Sequence, residues 1–218
     1  MQNASQVVAR PRILLADDHT MVIEGLRSLL IEKNQDVVGV VADGRALLEA
    51  APKLKPDVVI LDISMPLMNG LDAAAKLRQL LPNVKIVFLT MKDDPNLAAA
   101  VLGLGPVGYV LKHSAASELL MAITEVLHGR SYVTPRLKPE NWAVREARAQ
   151  QFSKDLTPRQ REVLQLLAEG RPMKEVGGIL NVSEKTVMFH KYHIMRSFNL
   201  KSNAELVLLA LKQGLISA

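Results

Sequence analysis

The chain has 218 residues, a net charge of +5 and no cysteine. That length gives room for two domains with separate cores, and zero cysteines exclude a disulfide framework and a thiolate metal site. No apolar stretch approaches the ~20 residues a bilayer requires, and residues 1–12 lack the apolar core of a signal peptide, so a cytoplasmic protein without membrane contact is expected. The charge is divided unevenly: residues 1–128 hold 12 Lys/Arg against 14 Asp/Glu, 129–154 hold six against two, and 155–218 hold nine against six. An acidic first half and a basic second half point to two different partners, with a polyanion on the C-terminal side.

The first predicted strand, 12–16, runs straight into Asp17 and Asp18. A helix over 21–32, a strand over 37–42 and a helix over 44–54 follow. The third apolar run, 58–61, ends in Asp62. Helix 71–81, strand 85–90 ending in Thr90, helix 95–102, strand 107–111 ending before Lys112, and helix 116–128 complete five βα units. Short β-branched runs alternating with amphipathic stretches predict an α/β domain over 10–128, with a doubly wound, five-stranded parallel sheet. In such sheets ligands bind beyond the carboxyl ends of the strands, where Asp17, Asp18, Asp62, Thr90 and Lys112 all fall.

From Gly129 the pattern breaks, with Pro135 and Pro139 in a polar stretch, and 129–154 reads as a linker. Trp142, Val144 and Phe152 give part of it a weakly amphipathic helical pattern. Residues 155–218 read as all-helical. Thr157 before Pro158 starts a helix that Gly170 stops, and a short helix over 173–180 leads through Asn181-Val-Ser183 into a longer one over 184–198. Two helices across a three-residue turn match helix-turn-helix, whose second helix enters the DNA major groove. On its wheel Val187, Ile194 and Phe198 share one arc, with His190 at its edge. The opposite arc holds Lys185, Met188, Phe189, Tyr192, His193 and Arg196. A solvated face seldom combines Phe, Met and Tyr, so this one is expected to read a groove. Gly177-Gly178 interrupts the preceding helix, where glycine costs about 1 kcal/mol. The last helix, 204–213, is apolar on more than one face, and Leu206, Leu209, Ala210 and Gln213 are candidates for pairing with a second copy.

The strand-end residues suit phosphoryl chemistry. Three carboxylates at one sheet edge repel one another and call for a hard cation such as Mg²⁺, leaving one carboxylate as nucleophile. Asp18, Asp62 and the Ser64 carbonyl are the candidate ligands, with Asp17 acting through water. Lys112 supplies fixed positive charge and Thr90 a hydroxyl for a phosphoryl oxygen. Two enzyme readings fail. Gly103-Leu-Gly105-Pro-Val-Gly108 fits the dinucleotide pattern but follows a helix and precedes a strand, and an aspartate-based phosphatase would want an acid where Ser64 stands. His113, His128 and His190 share no metal-ligand spacing.

On Leu15-Ala-Asp-Asp18, Asp62-Ile-Ser-Met-Pro66 with Asn69-Gly70, Phe88-Leu-Thr90 and Gly108-Tyr-Val-Leu-Lys112, residues 12–128 resemble the receiver domain of bacterial two-component response regulators, a flavodoxin-like fold. His113 in place of the usual Pro, and Pro106 in place of the usual Ala, depart from that pattern. On Leu156-Thr-Pro-Arg-Gln-Arg-Glu-Val-Leu164, Lys174-Glu-Val176, Val182-Ser-Glu-Lys-Thr-Val187, His190 and Leu200-Lys-Ser202, residues 155–218 resemble a LuxR-type DNA-binding domain. The whole chain resembles the NarL/FixJ class. That resemblance implies phosphorylation of Asp62 by a sensor histidine kinase, Mg²⁺ at Asp17 and Asp18, and repositioning of Thr90 and Tyr109 as a switch. It implies a transcription factor, not an enzyme acting on separate substrates, that binds double-stranded DNA as a homodimer, with RNA polymerase as a further expected partner. Base-edge contacts fall to Met188, Phe189 and Tyr192. Phosphate contacts fall to Lys174, Lys185, Thr186, Lys191, Arg196, Lys201 and Ser202. The alternative is a phosphorylation-independent regulator or protein-interaction module that keeps the receiver fold.

Overall fold

The computed structural model describes residues 10–91, 93–114, 116–137 and 156–216. The pattern noted at Trp142, Val144 and Phe152 lies outside these residues. In chain order the first unit runs β1 (Arg12–Ala16), α1 (Thr20–Glu32), β2 (Asp36–Val41), α2 (Gly44–Leu54), β3 (Val58–Asp62), α3 (Gly70–Leu80), β4 (Lys85–Thr90), α4 (Pro95–Leu102), β5 (Gly108–Leu111), α5 (Ala116–Leu127) and β6 (Tyr132–Val133). A 3₁₀ turn, Pro135–Leu137, closes it.

All strands are parallel and lie in the order β2-β1-β3-β4-β5-β6. Because side chains alternate along a strand, β1 sends Leu14 and Ala16 to one face and Ile13 and Leu15 to the other. The first set packs with α2, α3 and α4 through Leu47, Leu77 and Val101. The second packs with α1 and α5 through Leu30, Leu119 and Ile123. With both faces covered, β3 is buried along its whole length, as its unbroken Val-Val-Ile-Leu run requires.

The sheet has six strands, not the five expected. Two residues read as linker, Tyr132 and Val133, pair with Gly108 and Tyr109 of β5. Thr134 continues the junction: its N–H donates to the Tyr109 carbonyl at 3.0 Å, and its hydroxyl accepts from the Leu111 N–H at 3.3 Å. Leu137 is buried in the core beyond it. A two-residue strand is too short to show a period of two, so its sequence reads as loop.

The second unit comprises α6 (Pro158–Ala168), α7 (Met173–Leu180), α8 (Glu184–Ser197) and α9 (Asn203–Lys212). Thr157 and Gln160 form a reciprocal capping box on α6, and the Ser183 and Ser202 hydroxyls cap α8 and α9. Asn181, in the left-handed conformation, ends α7 and starts the turn into α8. A Cβ on Gly177 would lie 2.8 Å from the Val182 carbonyl of that turn, so this glycine permits the close approach, whereas Gly178 faces open space. The helical unit docks on the α2 and α3 side of the sheet domain through α6 and the end of α7.

Candidate functional site

The strand order reverses between β1 and β3, and there the sheet brings its acids together. Register places Asp62 of β3 beside Leu89 of β4, and Thr90 beside Leu111. Asp17, Asp62 and Thr90 are buried at this edge. The Lys112 ammonium, reaching over from β5, lies 2.7 Å from Asp17 Oδ2 and 2.9 Å from Asp62 Oδ2. The Ser64 N–H donates to Asp62 Oδ1 at 3.3 Å. Burial pushes the Asp62 carboxyl pKa up, the Lys112 charge opposes that shift, and the Asp17 carboxylate adds to it. Tyr109, fully buried on β5, has its phenol pushed up by burial and by Asp94 and Asp93.

One residue here escaped the sequence reading. His19, at the N-cap of α1, places Nδ1 3.0 Å from both Asp17 Oδ1 and Asp18 Oδ1, and 4.0 Å from Asp62 Oδ2. Its position next to the Asp17-Asp18 pair was the available signal. One ligand atom from each of Asp17, Asp18, His19 and Asp62 lies within 4.8 Å of the others. A mainly carboxylate donor set of this compactness fits a hard divalent cation. The loop behind it is tightly placed. A Cβ on Gly70 would meet the Asp62 carbonyl at 2.1 Å, and one on Gly44 the Met68 carbonyl at 2.5 Å.

In the helical unit, Val187 and Ile194 of α8 point into the core. Met188, Phe189 and Tyr192 are 52%, 58% and 63% exposed, an apolar surface that the docked sheet domain leaves uncovered. The Phe189 ring rests on His193, with centroids 4.4 Å apart. Lys174, Lys185, Arg196, Lys201 and Ser202 are exposed on the same unit, and Lys191 and Thr186 are half-buried. Ser202 and Thr186 also serve the caps: Ser202 accepts from the Glu205 N–H, and the Thr186 N–H donates to Ser183.

On α9, Leu206, Leu209 and Ala210 are buried in the unit's own core with Leu164 and Ile194, which leaves Leu208 exposed, while Gln213, four residues after Leu209 and seven after Leu206, is half-buried at the end of their stripe. A helix apolar on two sides gives no indication in sequence of which side faces its own domain.

Comparison with known proteins matches the response regulator receiver domain over residues 13–124 and the bacterial regulatory proteins of the luxR family over residues 154–210. The oxygen regulatory protein NreC of Staphylococcus epidermidis is 39% identical over 215 residues, covering 94% of this chain and 99% of NreC. Among solved structures, the RcsB response regulator of Salmonella typhimurium superposes with a TM-score of 0.65 at 30% identity, covering 94% of this chain and 98% of RcsB. A structure of two RcsB dimers bound to two parallel DNAs gives 0.55 at 31% identity, covering 94% and 99%.

Proposed function

Because the chain belongs to the response regulators that join a receiver domain to a LuxR-type DNA-binding domain, we propose that Asp62 is its phosphoacceptor and that phosphorylation there governs binding to paired DNA half-sites. The chain is a phosphorylation-regulated transcription regulator.

The observation that carries it is the placement of Asp62: a buried carboxylate at the end of a central strand, paired with Lys112 and adjoining Asp17. Lys112 orients the carboxylate and supplies a fixed cation for an incoming phosphoryl group. Thr90, at the end of the neighbouring strand, offers its hydroxyl to a phosphoryl oxygen, and Tyr109 on β5 moves with it. Asp17, Asp18, Asp62 and the Ser64 carbonyl would hold Mg²⁺. When bound, the ion neutralises phosphoryl charge, so that one anion can approach another. A sensor histidine kinase is the expected donor, and the pocket acts on its own Asp62.

RcsB dimers bind DNA, and that likeness supports a DNA-binding homodimer here. Met188, Phe189 and Tyr192 would touch base edges, with thymine methyls as suitable targets, and the surrounding Lys, Arg and hydroxyl groups would hold phosphates. Leu208 is the apolar residue of α9 open to a second copy, with Gln213 half-buried at the end of the helix. RNA polymerase is a further partner of the bound form.

Acetyl phosphate with Mg²⁺, followed by peptide mass spectrometry, tests the assignment. A phosphoryl group on Asp62, lost in Asp62→Asn, is expected. Modification elsewhere, or none, would overturn it.

A further inference from the structure

The loop that leaves Asp62, residues 63–69, is held from the other domain. Gln165 on α6 is 1% exposed, and its amide uses all four of its hydrogen-bonding positions. Nε2 donates to the Met65 carbonyl and to Glu169 Oε1, both at 2.9 Å. Oε1 accepts from the Asn69 N–H at 2.9 Å and from Asn69 Nδ2 at 3.1 Å. The carbonyl of Met65 demands a donor and the N–H of Asn69 an acceptor, so the amide has one possible orientation.

Between those two anchors the Leu67 N–H donates to Glu169 at 3.0 Å, and the Leu67 side chain packs against the cluster of Val163, Leu166 and Val176. Leu67 has φ +63, a conformation that disfavours a side chain and persists only where surroundings enforce it. Ion pairs flank the grip, Arg161 with Asp72 and Lys76 with Glu162, and the Arg45 guanidinium donates to the Ile179 carbonyl at 3.1 Å.

We propose that Gln165 is a positioning residue for phosphoryl transfer to Asp62: from the DNA-binding domain it holds the 63–69 loop in the arrangement that accompanies the unmodified carboxylate. The inference rests on Asp62 being the acceptor. In the transfer an Asp62 oxygen forms a bond to phosphorus while the donor's bond to phosphorus breaks: the P–N bond of a kinase phosphohistidine, with imidazole leaving, or the P–O bond of acetyl phosphate, with acetate leaving. The new phosphoryl oxygens carry more charge than the carboxylate and draw nearby donors towards them, the Ser64 N–H at the head of the loop among them. A loop pulled at Ser64 loses register with Gln165, whose bonds begin one residue further on.

Docking therefore opposes phosphorylation, and phosphorylation opposes docking by the same factor. Control of this kind leaves the exposed α8 face untouched and acts on where the domain can travel.

Two full-length variants test this from opposite sides, with thermal melts to establish that each is folded. Gln165→Leu removes the four bonds, and Lys76→Glu sets a carboxylate against Glu162 without altering the pocket or the DNA-binding domain. Both should bind beryllofluoride with Mg²⁺ more tightly than the parent protein, within the roughly 5- to 150-fold range of ordinary allosteric coupling. Both should also raise the rate of Asp62 phosphorylation by acetyl phosphate. Without any metal, both should speed hydrogen exchange in residues 63–69 and in α6 together. Faster exchange with beryllofluoride affinity unchanged would overturn the coupling, and unchanged exchange in both variants would overturn the grip itself. No modification of Asp62 in the parent or either variant would instead overturn the acceptor assignment and this inference with it.

Discussion

At Asp62 burial and function pull against each other. Its carboxyl pKa is raised mainly by burial, so the folded protein holds that proton more tightly than the unfolded chain does. Ionising it therefore costs stability at every pH above the raised pKa, and the cost is relieved as pH falls through that value. Asp62→Asn is expected to melt higher than the parent protein at neutral pH in chelator, with the difference shrinking as the pH falls into the carboxylate range. Differential scanning calorimetry across pH checks this, and a constant difference would contradict it. Asp17, Asp18, Thr90 and Lys112 were legible in sequence because each ends a recognisable apolar run. His19 was not, since a lone histidine beside two acids shows nothing of where its ring turns. Gln165 was still less legible: in sequence it is one polar position on an amphipathic helix, and its partners Met65 and Asn69 lie about 100 residues away.

At the scale of elements, the sixth strand and the α7 glycines carry separate consequences. Leu137 is buried beyond β6, so Leu137→Ala should destabilise the sheet domain by about 2–5 kcal/mol, read from urea denaturation. An effect below about 0.5 kcal/mol would mean that β6 and its turn detach readily from the sheet. In α7, Gly178→Ala should stabilise the helical domain by about 0.5–1 kcal/mol, because the methyl meets nothing and helix propensity improves. Gly177→Ala should destabilise it, because its methyl would press on the Val182 carbonyl. Paired thermal melts distinguish the two. Sequence showed both glycines as interruptions of equal weight, and only the turn from α7 into α8 separates them.

Across the whole molecule, docking and the proposed DNA-reading face occupy different surfaces. The α6 side faces the receiver domain, while Met188, Phe189 and Tyr192 stay exposed on α8. Binding that rests on Lys174, Lys185, Lys191, Arg196 and Lys201 should weaken steeply with salt. Arg196→Ala should make the slope of log affinity against log salt shallower by about 0.9 per half-site, or about 2 for a dimer, with little change in sequence preference. Tyr192→Ala should leave the slope unchanged and relax the preference. Fluorescence anisotropy over a salt series separates these outcomes.

The sequence by itself determined the two-domain plan, the parallel sheet, the acid cluster at its edge and the helix with an exposed Met188, Phe189 and Tyr192 face, because each is written in local periodicity and in residues that end recognisable elements. The tertiary structure alone decided the sixth strand, the inward side of α9, the place of His19 and the grip of Gln165 on the loop behind Asp62. Those depend on pairings between distant segments, where a buried polar group must find its partners, and no local pattern encodes which partners those are.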